Sequence, residues 1–189
     1  MEKDILPDGL LSAAPEALED FLACSESVGF KKNDVVERQD SRQDYLYMVH
    51  EGILRVSRIC NSNETTIRFL FPGDTQLSLC DFQNTGINPF SYIAITDCSV
   101  LRIPNSMLKT LVKRHSSLAL WFGEELVNVL AKLEQRFVYL GGEEATKTYE
   151  NLCISRPEII TEIPPKYVAQ YLNIRLETYY RLRTKLIRR

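Results

Sequence analysis

The sequence predicts an α+β protein in which an all-β roll or barrel is followed by helices. Three observations support this fold class. Residues 28–104 contain short apolar segments with turn signals about every eight to twelve residues, a spacing typical of rolled antiparallel sheets. Residues 116–140 carry apolar residues at helical spacing. The last 26 residues form a basic segment with the pattern of two short helices.

The composition is that of a globular chain long enough for a mid-sized domain and a smaller one. Of its 189 residues, 44% are hydrophobic and 25% are charged, with a formal net charge of −2. No apolar run approaches the roughly 18 residues of a membrane span, and the sequence MEKDILPDGLL lacks the layout of a signal peptide. We expect a cytoplasmic protein that has no membrane partner.

The sequence offers little for catalysis or metal binding. Its five cysteines form no CxxC pair, and its only histidines, His50 and His115, lie 65 residues apart. No nucleophile motif or phosphate-binding glycine loop is present. We expect no enzymatic activity, no metal site and no cofactor, with a haem sensor using one histidine as an open alternative.

The first half of the chain predicts one helix and then short strands. Residues 15–26 are typical of an amphipathic helix. Alternation on both sides of Glu51-Gly52 predicts a hairpin turn there, and Pro72-Gly73-Asp74 predicts a second turn. The predicted strands are residues 44–50, 53–58, 66–71, 91–96 and 99–103.

Residues 116–140 predict one long helix with two apolar faces. One face has spacings of 4, 3, 4 and 3, which is typical of a coiled-coil seam: Leu126, Leu130, Leu133, Phe137 and Leu140. The other face is placed to pack on the β-roll: Leu118, Trp121, Phe122 and Val129. We expect the seam to form a homodimer, the alternative being that both faces belong to one core.

The basic end predicts a helix-turn-helix. Residues 164–189 carry seven Lys or Arg and one acid, a formal charge of about +6, whereas residues 1–163 sum to about −8. Pro164-Pro165 suits a helix start, Asn173 suits a helix end, and a second helix follows from Leu176. Two helices joined by a short turn, the second basic on its free face, are typical of DNA readers. A solvated basic surface is the alternative.

Several matched positions point to one family. In the basic end these are Val168-Ala169, Tyr171-Leu172, Ile174, Glu177-Thr178, Arg181 and Arg183, and in the β-rich part Tyr47–Val56, Phe71–Asp74 and Ile95–Leu101. In this order they resemble the Crp/Fnr-type bacterial transcription regulators, over nearly the whole chain. The resemblance implies a jelly-roll-like double-stranded β-helix as sensor at 1–115, a dimerisation helix at 116–141 and a winged helix-turn-helix at 142–189, with residues 157–163 as the wing.

The same resemblance implies the DNA-contacting residues. Glu177 and Arg181 would read bases, because a carboxylate accepts from cytosine and a guanidinium bridges guanine O6 and N7. Residues at or near the phosphates would be Lys166, Arg175, Thr178, Tyr180, Arg183, Lys185 and Arg188. Expected partners are double-stranded DNA and a second copy, with RNA polymerase and an unidentified small-molecule effector as further candidates. An interaction module that does not bind DNA is the alternative.

The β-roll departs from the cyclic-nucleotide pattern of that family. Ser78 and Asn88-Pro89 occupy the places of its ribose-binding glutamate and phosphate-binding Arg-Ser pair, and no Lys or Arg lies between Arg68 and Arg102. Without a local cation, we expect no useful binding of cAMP or cGMP. The polar candidates for a less charged effector are Ser78, Asn84, Asn88, Ser91 and Tyr92. A filled core without ligand is the alternative.

Overall fold

A computed structural model describes residues 6–77, 86–140 and 145–187. The strands within these ranges are β1 Glu26–Phe30, β2 Val35–Glu37, β3 Tyr45–Glu51, β4 Leu54–Cys60, β5 Asn63–Leu70, β6 Thr75–Gln76, β7 Ser91–Ala94 and β8 Cys98–Pro104. The helices are α1 Asp8–Leu11, α2 Pro15–Ala23, α3 Asn105–Arg114, α4 Ser116–Leu140, α5 Ala145–Ser155, α6 Glu158–Thr161, α7 Pro165–Leu172 and α8 Leu176–Ile187.

The strands form two four-stranded antiparallel sheets. Their orders are β1-β8-β3-β6 and β2-β7-β4-β5, so neighbours in a sheet are mostly distant in sequence. Side chains between the sheets form one core, which includes Tyr47, Val56 and Tyr92. This arrangement confirms the predicted β-roll and the α+β class.

The predicted hairpin at Glu51-Gly52 is wrong. Strand β3 pairs with β8 and β6, whereas β4 pairs with β5 and β7, so Gly52 carries the chain from one sheet to the other. Gly52 has φ 79°, and a Cβ there would lie 2.2 Å from the Asp97 carbonyl oxygen. Alternation marks both strands correctly but does not tell which strand each one pairs with.

The hairpin of this region connects β4 and β5 instead. Its turn residues, Asn61 and Ser62, have φ values of 49° and 66°. Positive φ at both central residues gives a turn whose twist matches that of the flanking strands, and Asn is favoured there. The sequence Asn61-Ser62-Asn63 therefore carried a turn signal that the sequence analysis missed.

The N-terminal and long helices close one face of the β-roll. Phe21 of α2 is fully buried and meets Trp121 of α4 edge to face, with ring centroids 5.5 Å apart. The four predicted inward residues of α4 are all buried in this cluster: Leu118, Trp121, Phe122 and Val129. The predicted packing of α4 on the β-roll is confirmed.

The C-terminal helices share a core with the β-roll. Phe69 and Phe71, at the end of β5 and just beyond it, belong to the same buried cluster as Val168 of α7 and Tyr179 of α8. Helix α7 lies against β5. The two parts of the chain are therefore packed together and are not separated by solvent.

The predicted wing at residues 157–163 is wrong. Glu158–Thr161 form the short helix α6, and no strand occurs within residues 145–187. Pro157 has φ −58° and ψ −25°, a conformation suited to a helix start. Ile159 on α6 is fully buried, so burial of one side chain outweighs the β propensity of the Ile-Ile pair.

Candidate DNA-binding surface and ligand cavity

The turn between α7 and α8 has the geometry of a helix-turn-helix. Helix α7 ends at Asn173, whose φ of 55° and ψ of 42° are left-handed, as predicted. The N–H groups of Asn173 and Ile174 donate to the carbonyls of Gln170 and Ala169, at 3.1 and 3.0 Å. These bonds satisfy two of the final carbonyls of α7, so the turn is fixed locally.

The inner face of α8 is anchored by aromatic packing. Tyr179 is fully buried, and its ring meets that of Tyr149 on α5 edge to face at 5.3 Å. Their hydroxyl oxygens lie 3.3 Å apart and share a hydrogen bond. Burial and this bond raise the pKa of Tyr149, so it remains a neutral phenol. The contact fixes which side of α8 faces outward.

The outward side of α8 presents the predicted base-reading residues. Glu177 and Arg181 are both exposed and lie one helical turn apart. Tyr180 is 49% exposed, with its ring packed against that of Tyr179 at 5.9 Å. Lys185 is exposed and Thr178 is half-buried.

Two cations flank this surface and one is turned away from it. Lys166 at the start of α7 and Arg175 in the turn are exposed. Arg183 is half-buried, and its Nη2 lies 3.5 Å from the carbonyl oxygen of Ile160. Its place against α6 differs from the phosphate contact that the sequence suggested. Arg188 lies outside the described residues.

A buried arginine joins the β-roll to α7. Arg55 on β4 is 2% exposed, forms an ion pair with Glu64 and places its guanidinium 3.9 Å from the centre of the Tyr167 ring. Beside it, the Thr66 hydroxyl donates to Gln170 Oε1 at 2.8 Å. The sequence analysis missed this contact, although an arginine between Leu54 and Val56 on a predicted strand was a signal.

A second arginine joins α4 to the end of α7. Arg136 lies 4.2 Å from the centre of the Tyr171 ring and donates from Nη2 to the Tyr171 carbonyl. Burial lowers its pKa, although a guanidinium remains charged. Phe69 of β5 also packs on Tyr171, with ring centroids 5.6 Å apart. The C-terminal ends of α4, β5 and α7 thus meet at one place.

The exposed apolar face of α4 differs in register from the predicted seam. Leu126 packs against the buried cluster that contains Phe21 and Trp121, and Leu133 lines a cavity, so these two face the β-roll. The residues that are 60% or more exposed form what we call the outer stripe: Leu120, Val127, Leu130, Phe137 and Val138. They span an arc of about 100° on the helix. The Leu140 side chain lies outside the described residues.

A cavity of about 240 Å³ lies between the β-roll and α4. Asn88 and Tyr92 from the predicted effector residues line it, whereas Ser91 points to the other side of β7, where its Oγ accepts from the Gln39 N–H at 2.9 Å. Ser78 and Asn84 lie outside the described residues. Most of the remaining lining is apolar: Val56, Ile67, Leu77, Pro89, Phe90, Val129 and Leu133.

The expectation that no cation is near this site is wrong. Arg68, from β5 in the other part of the sequence, lines the cavity. Burial lowers the pKa of its guanidinium, and its Nη2 donates to Gln76 Oε1. The sequence window between Arg68 and Arg102 could not reveal this, because strands that meet at the cavity are distant in sequence.

The histidines are not part of this cavity. His115 is 9% exposed, with Nε2 at 2.9 Å from Asp20 Oδ2, and His50 lies on β3 beside Glu51. Within residues 6–77, 86–140 and 145–187, no group of three or more His, Cys, Asp or Glu is placed to hold a metal ion. In the same ranges, no helix has the length and apolarity needed to cross a bilayer.

Comparison with known proteins gives one family match and several structural neighbours. Residues 27–115 match the cyclic nucleotide-binding domain. FixK2 from Bradyrhizobium japonicum is 19% identical with a TM-score of 0.75, over 86% of this chain and 84% of that one. The catabolite activator protein of Thermus thermophilus is 20% identical with a TM-score of 0.59, over 95% and 87%. No curated protein sequence matches significantly.

A third neighbour covers both parts of the chain. The c-di-GMP-responsive global regulator CLP of Xanthomonas campestris is 16% identical with a TM-score of 0.68, over 92% of this chain and 91% of that one. At these identities the likeness concerns the fold. The similarity extends beyond the matched domain to the C-terminal helices.

Proposed function

We propose that this protein is a homodimeric transcription regulator that binds DNA, because residues 27–115 match the cyclic nucleotide-binding domain and the chain resembles Crp/Fnr-type regulators in fold. One observation carries the proposal. Helices α7 and α8 meet at a fixed turn, and α8 presents an exposed carboxylate and an exposed guanidinium one turn apart, Glu177 and Arg181. This is the arrangement that major-groove readers use.

The expected contacts with DNA are of two kinds, contacts to base edges and contacts to phosphates. Arg181 donates two hydrogen bonds to a guanine, and Glu177 accepts one from a cytosine amino group. The exposed cations Lys166, Arg175 and Lys185 neutralise phosphates, which fixes the register of the helix without reading sequence. Tyr180 contacts a phosphate or narrows the choice of neighbouring base. The acidic remainder of the chain faces away from DNA.

Dimerisation through the outer stripe of α4 gives the DNA-binding protein two-fold symmetry. A second copy would cover the exposed apolar arc and place two α8 helices for half-sites about one helical turn apart. The cyclic nucleotide-binding domain then acts as a sensor whose packing on α4 sets that spacing. We propose that cAMP and cGMP are not its effectors even though Arg68 lines the cavity, because Ser78 and Asn88-Pro89 stand where the family has its ribose-binding glutamate and phosphate-binding Arg-Ser pair. Activation of transcription would add a contact with RNA polymerase.

The test is selection of genomic DNA fragments by the purified protein across a salt series. We expect a two-fold symmetric site, and Arg181→Ala should lose about 1–3 kcal/mol of specificity while retaining nonspecific affinity. Lys185→Ala should instead lower the slope of log K against log salt by about one.

Arg58→Ala is the matched control, because Arg58 is exposed on β4, away from α8. It removes the same charge and should change neither quantity. Absence of any enriched sequence, with all three variants behaving alike, would refute the assignment of α8 as a reader.

A further inference from the structure

The cavity between the β-roll and α4 has one strongly polar wall. Arg68 donates to Gln76, the Gln76 amide donates to the Tyr92 hydroxyl at 3.0 Å, and that hydroxyl donates to Asn88 Oδ1 at 3.3 Å. All four residues line the cavity, and apart from Gln43 the rest of the lining is apolar. The site is therefore amphipathic, with a cation at one end of a hydrogen-bonded chain.

The guanidinium of Arg68 has no ion-pair partner in the part of the chain that the structure describes. Among the described residues no carboxylate lies within ion-pair distance of its guanidinium, and Gln76 accepts from only one of its N–H groups. Asp74, a carboxylate whose charge acts on Arg68, is engaged elsewhere, since it accepts from Lys132 Nζ at 2.8 Å and from the Phe71 N–H at 2.9 Å. A partly buried guanidinium without a counter-ion loses hydration that no opposite charge replaces, so binding an anion beside Arg68 would be favourable.

A second donor in the same wall is also unused. Asn88 is fully buried, and both contacts of its side chain are to Oδ1, from the Phe90 N–H and the Tyr92 hydroxyl. Its Nδ2 has no hydrogen-bond partner in the described part of the chain. Buried donors of this kind are normally satisfied by a ligand or a water molecule.

The size and lining of the cavity limit what can satisfy these donors. Its volume of about 240 Å³ exceeds the roughly 150 Å³ of an engineered cavity that admits benzene. The apolar wall offers no partners for a ribose. An apolar body of about the size of benzene or somewhat larger fits the space, and one anionic group fits the donors.

We propose that this cavity binds a small monocarboxylate with an apolar body, held by Arg68 and Asn88 and covered by α4. The carboxylate takes the free N–H groups of the guanidinium, which makes a charge-assisted bond in a largely dry site. The apolar body lies against Val129 and Leu133, two residues of α4.

The position of Arg68 also gives the ligand a route to the DNA-binding part. Arg68 lines a second groove of about 270 Å³, between β5, α4 and α5, together with Lys132 and Arg136. A carboxylate that draws the guanidinium into the first cavity withdraws charge from this groove, where Arg136 holds Tyr171. This consequence rests on the proposed function, whereas ligand binding itself does not.

The test is calorimetric titration of the full chain with matched acids and amides, and with cAMP. The pairs are benzoate with benzamide, phenylacetate with phenylacetamide, and hexanoate with hexanamide. We expect at least one acid to bind roughly tenfold or more tightly than its amide. Arg68→Met should abolish that preference, and Arg58→Met, on an exposed strand position, should retain it.

Asn88→Asp is the second variant, and its nearly identical side-chain shape makes it a control for loss of folding. Its carboxylate accepts the same two hydrogen bonds as Asn88 Oδ1, but it repels a bound acid, so acid affinity should fall while amide affinity stays. Asn88 lines the first cavity but not the second groove, so an effect of this variant on acid affinity assigns the binding to the first cavity. The proposal is overturned by any of four results. These are equal affinity for acid and amide, an acid preference that survives Arg68→Met, preference for cAMP, and no binding up to about 10 mM. Acid binding without DNA selection would leave this proposal standing and refute the proposed function alone.

Discussion

Replacing Phe137 with alanine should weaken the proposed dimer strongly. Phe137 is 73% exposed in the single chain and lies in the outer stripe of α4. A phenylalanine carries roughly 200 Å² of surface, so about 150 Å² is available to a partner. At about 25 cal/mol per Å², complete coverage would contribute about 3–4 kcal/mol per copy.

The change retains the Cβ and coverage is incomplete, so we expect a loss of about 1–1.5 kcal/mol for each copy, which is about 2–3 kcal/mol for the two copies of the dimer. That corresponds to a roughly 30- to 150-fold rise in the dimer Kd. The folded chain itself should be nearly unaffected, because substitution of exposed residues usually changes the free energy of unfolding by about 0.5 kcal/mol or less.

Sedimentation velocity over a protein concentration series measures the Kd directly. Ile154→Ala is the matched control, since Ile154 is 80% exposed but lies on α5 and outside the outer stripe. The reasoning is refuted if the wild type remains monomeric up to about 100 µM. It is equally refuted if Phe137→Ala and Ile154→Ala have the same Kd.

Three further predictions concern stability, each measured by urea unfolding. Asn173→Ala should cost about 1–2 kcal/mol, because alanine resists the left-handed conformation, whereas Asn173→Gly should be close to neutral. Glu64→Gln should cost about 2 kcal/mol or more, because it leaves the buried Arg55 guanidinium without its anion, and Arg55→Met should cost less, because the Glu64 carboxylate that it leaves is partly exposed to water. Burial raises the pKa of Glu37, opposed by the hydrogen bond that the Tyr47 hydroxyl donates at 2.5 Å. The stability that Glu37 contributes is therefore complete below the unfolded pKa of about 4.3 and is lost as pH rises through the higher folded pKa, so Glu37→Gln should remove this loss.

The elements that the sequence predicted well are those that depend on local patterns. Alternation located most strands, proline placed the start of α7, and Asn173 placed its end, because each of these signals acts within a few residues. Strand pairing was not predictable in the same way. Gly52 belongs to an alternating stretch whichever strand follows, and only its approach to Asp97 reveals a crossover between sheets.

In the candidate sites, too, features that depend on local sequence were predicted and features that depend on distant residues were not. Exposure of Glu177 and Arg181 followed from helical spacing, because a helix fixes its own faces. Which residues of α4 are exposed did not follow from helical spacing, because Leu126 and Leu130 are four residues apart and lie on the same side of the helix. Leu126 is covered and Leu130 is exposed because of how far the β-roll extends along α4. Arg68 was missed because a cavity lined by β5 and β7 brings together residues more than twenty positions apart.

The core shared by Phe69, Phe71, Val168 and Tyr179 has a consequence for engineering. Helices α7 and α8 cannot be transferred alone, because grafting residues 145–187 onto another β-roll would remove the β5 surface on which α7 rests. A working chimera would have to carry that surface along, with Arg55 to hold Tyr167. The same dependence constrains evolution: a change on the exposed side of α8 leaves this core intact, but a change on the buried side of α7 requires a matching change in the β-roll.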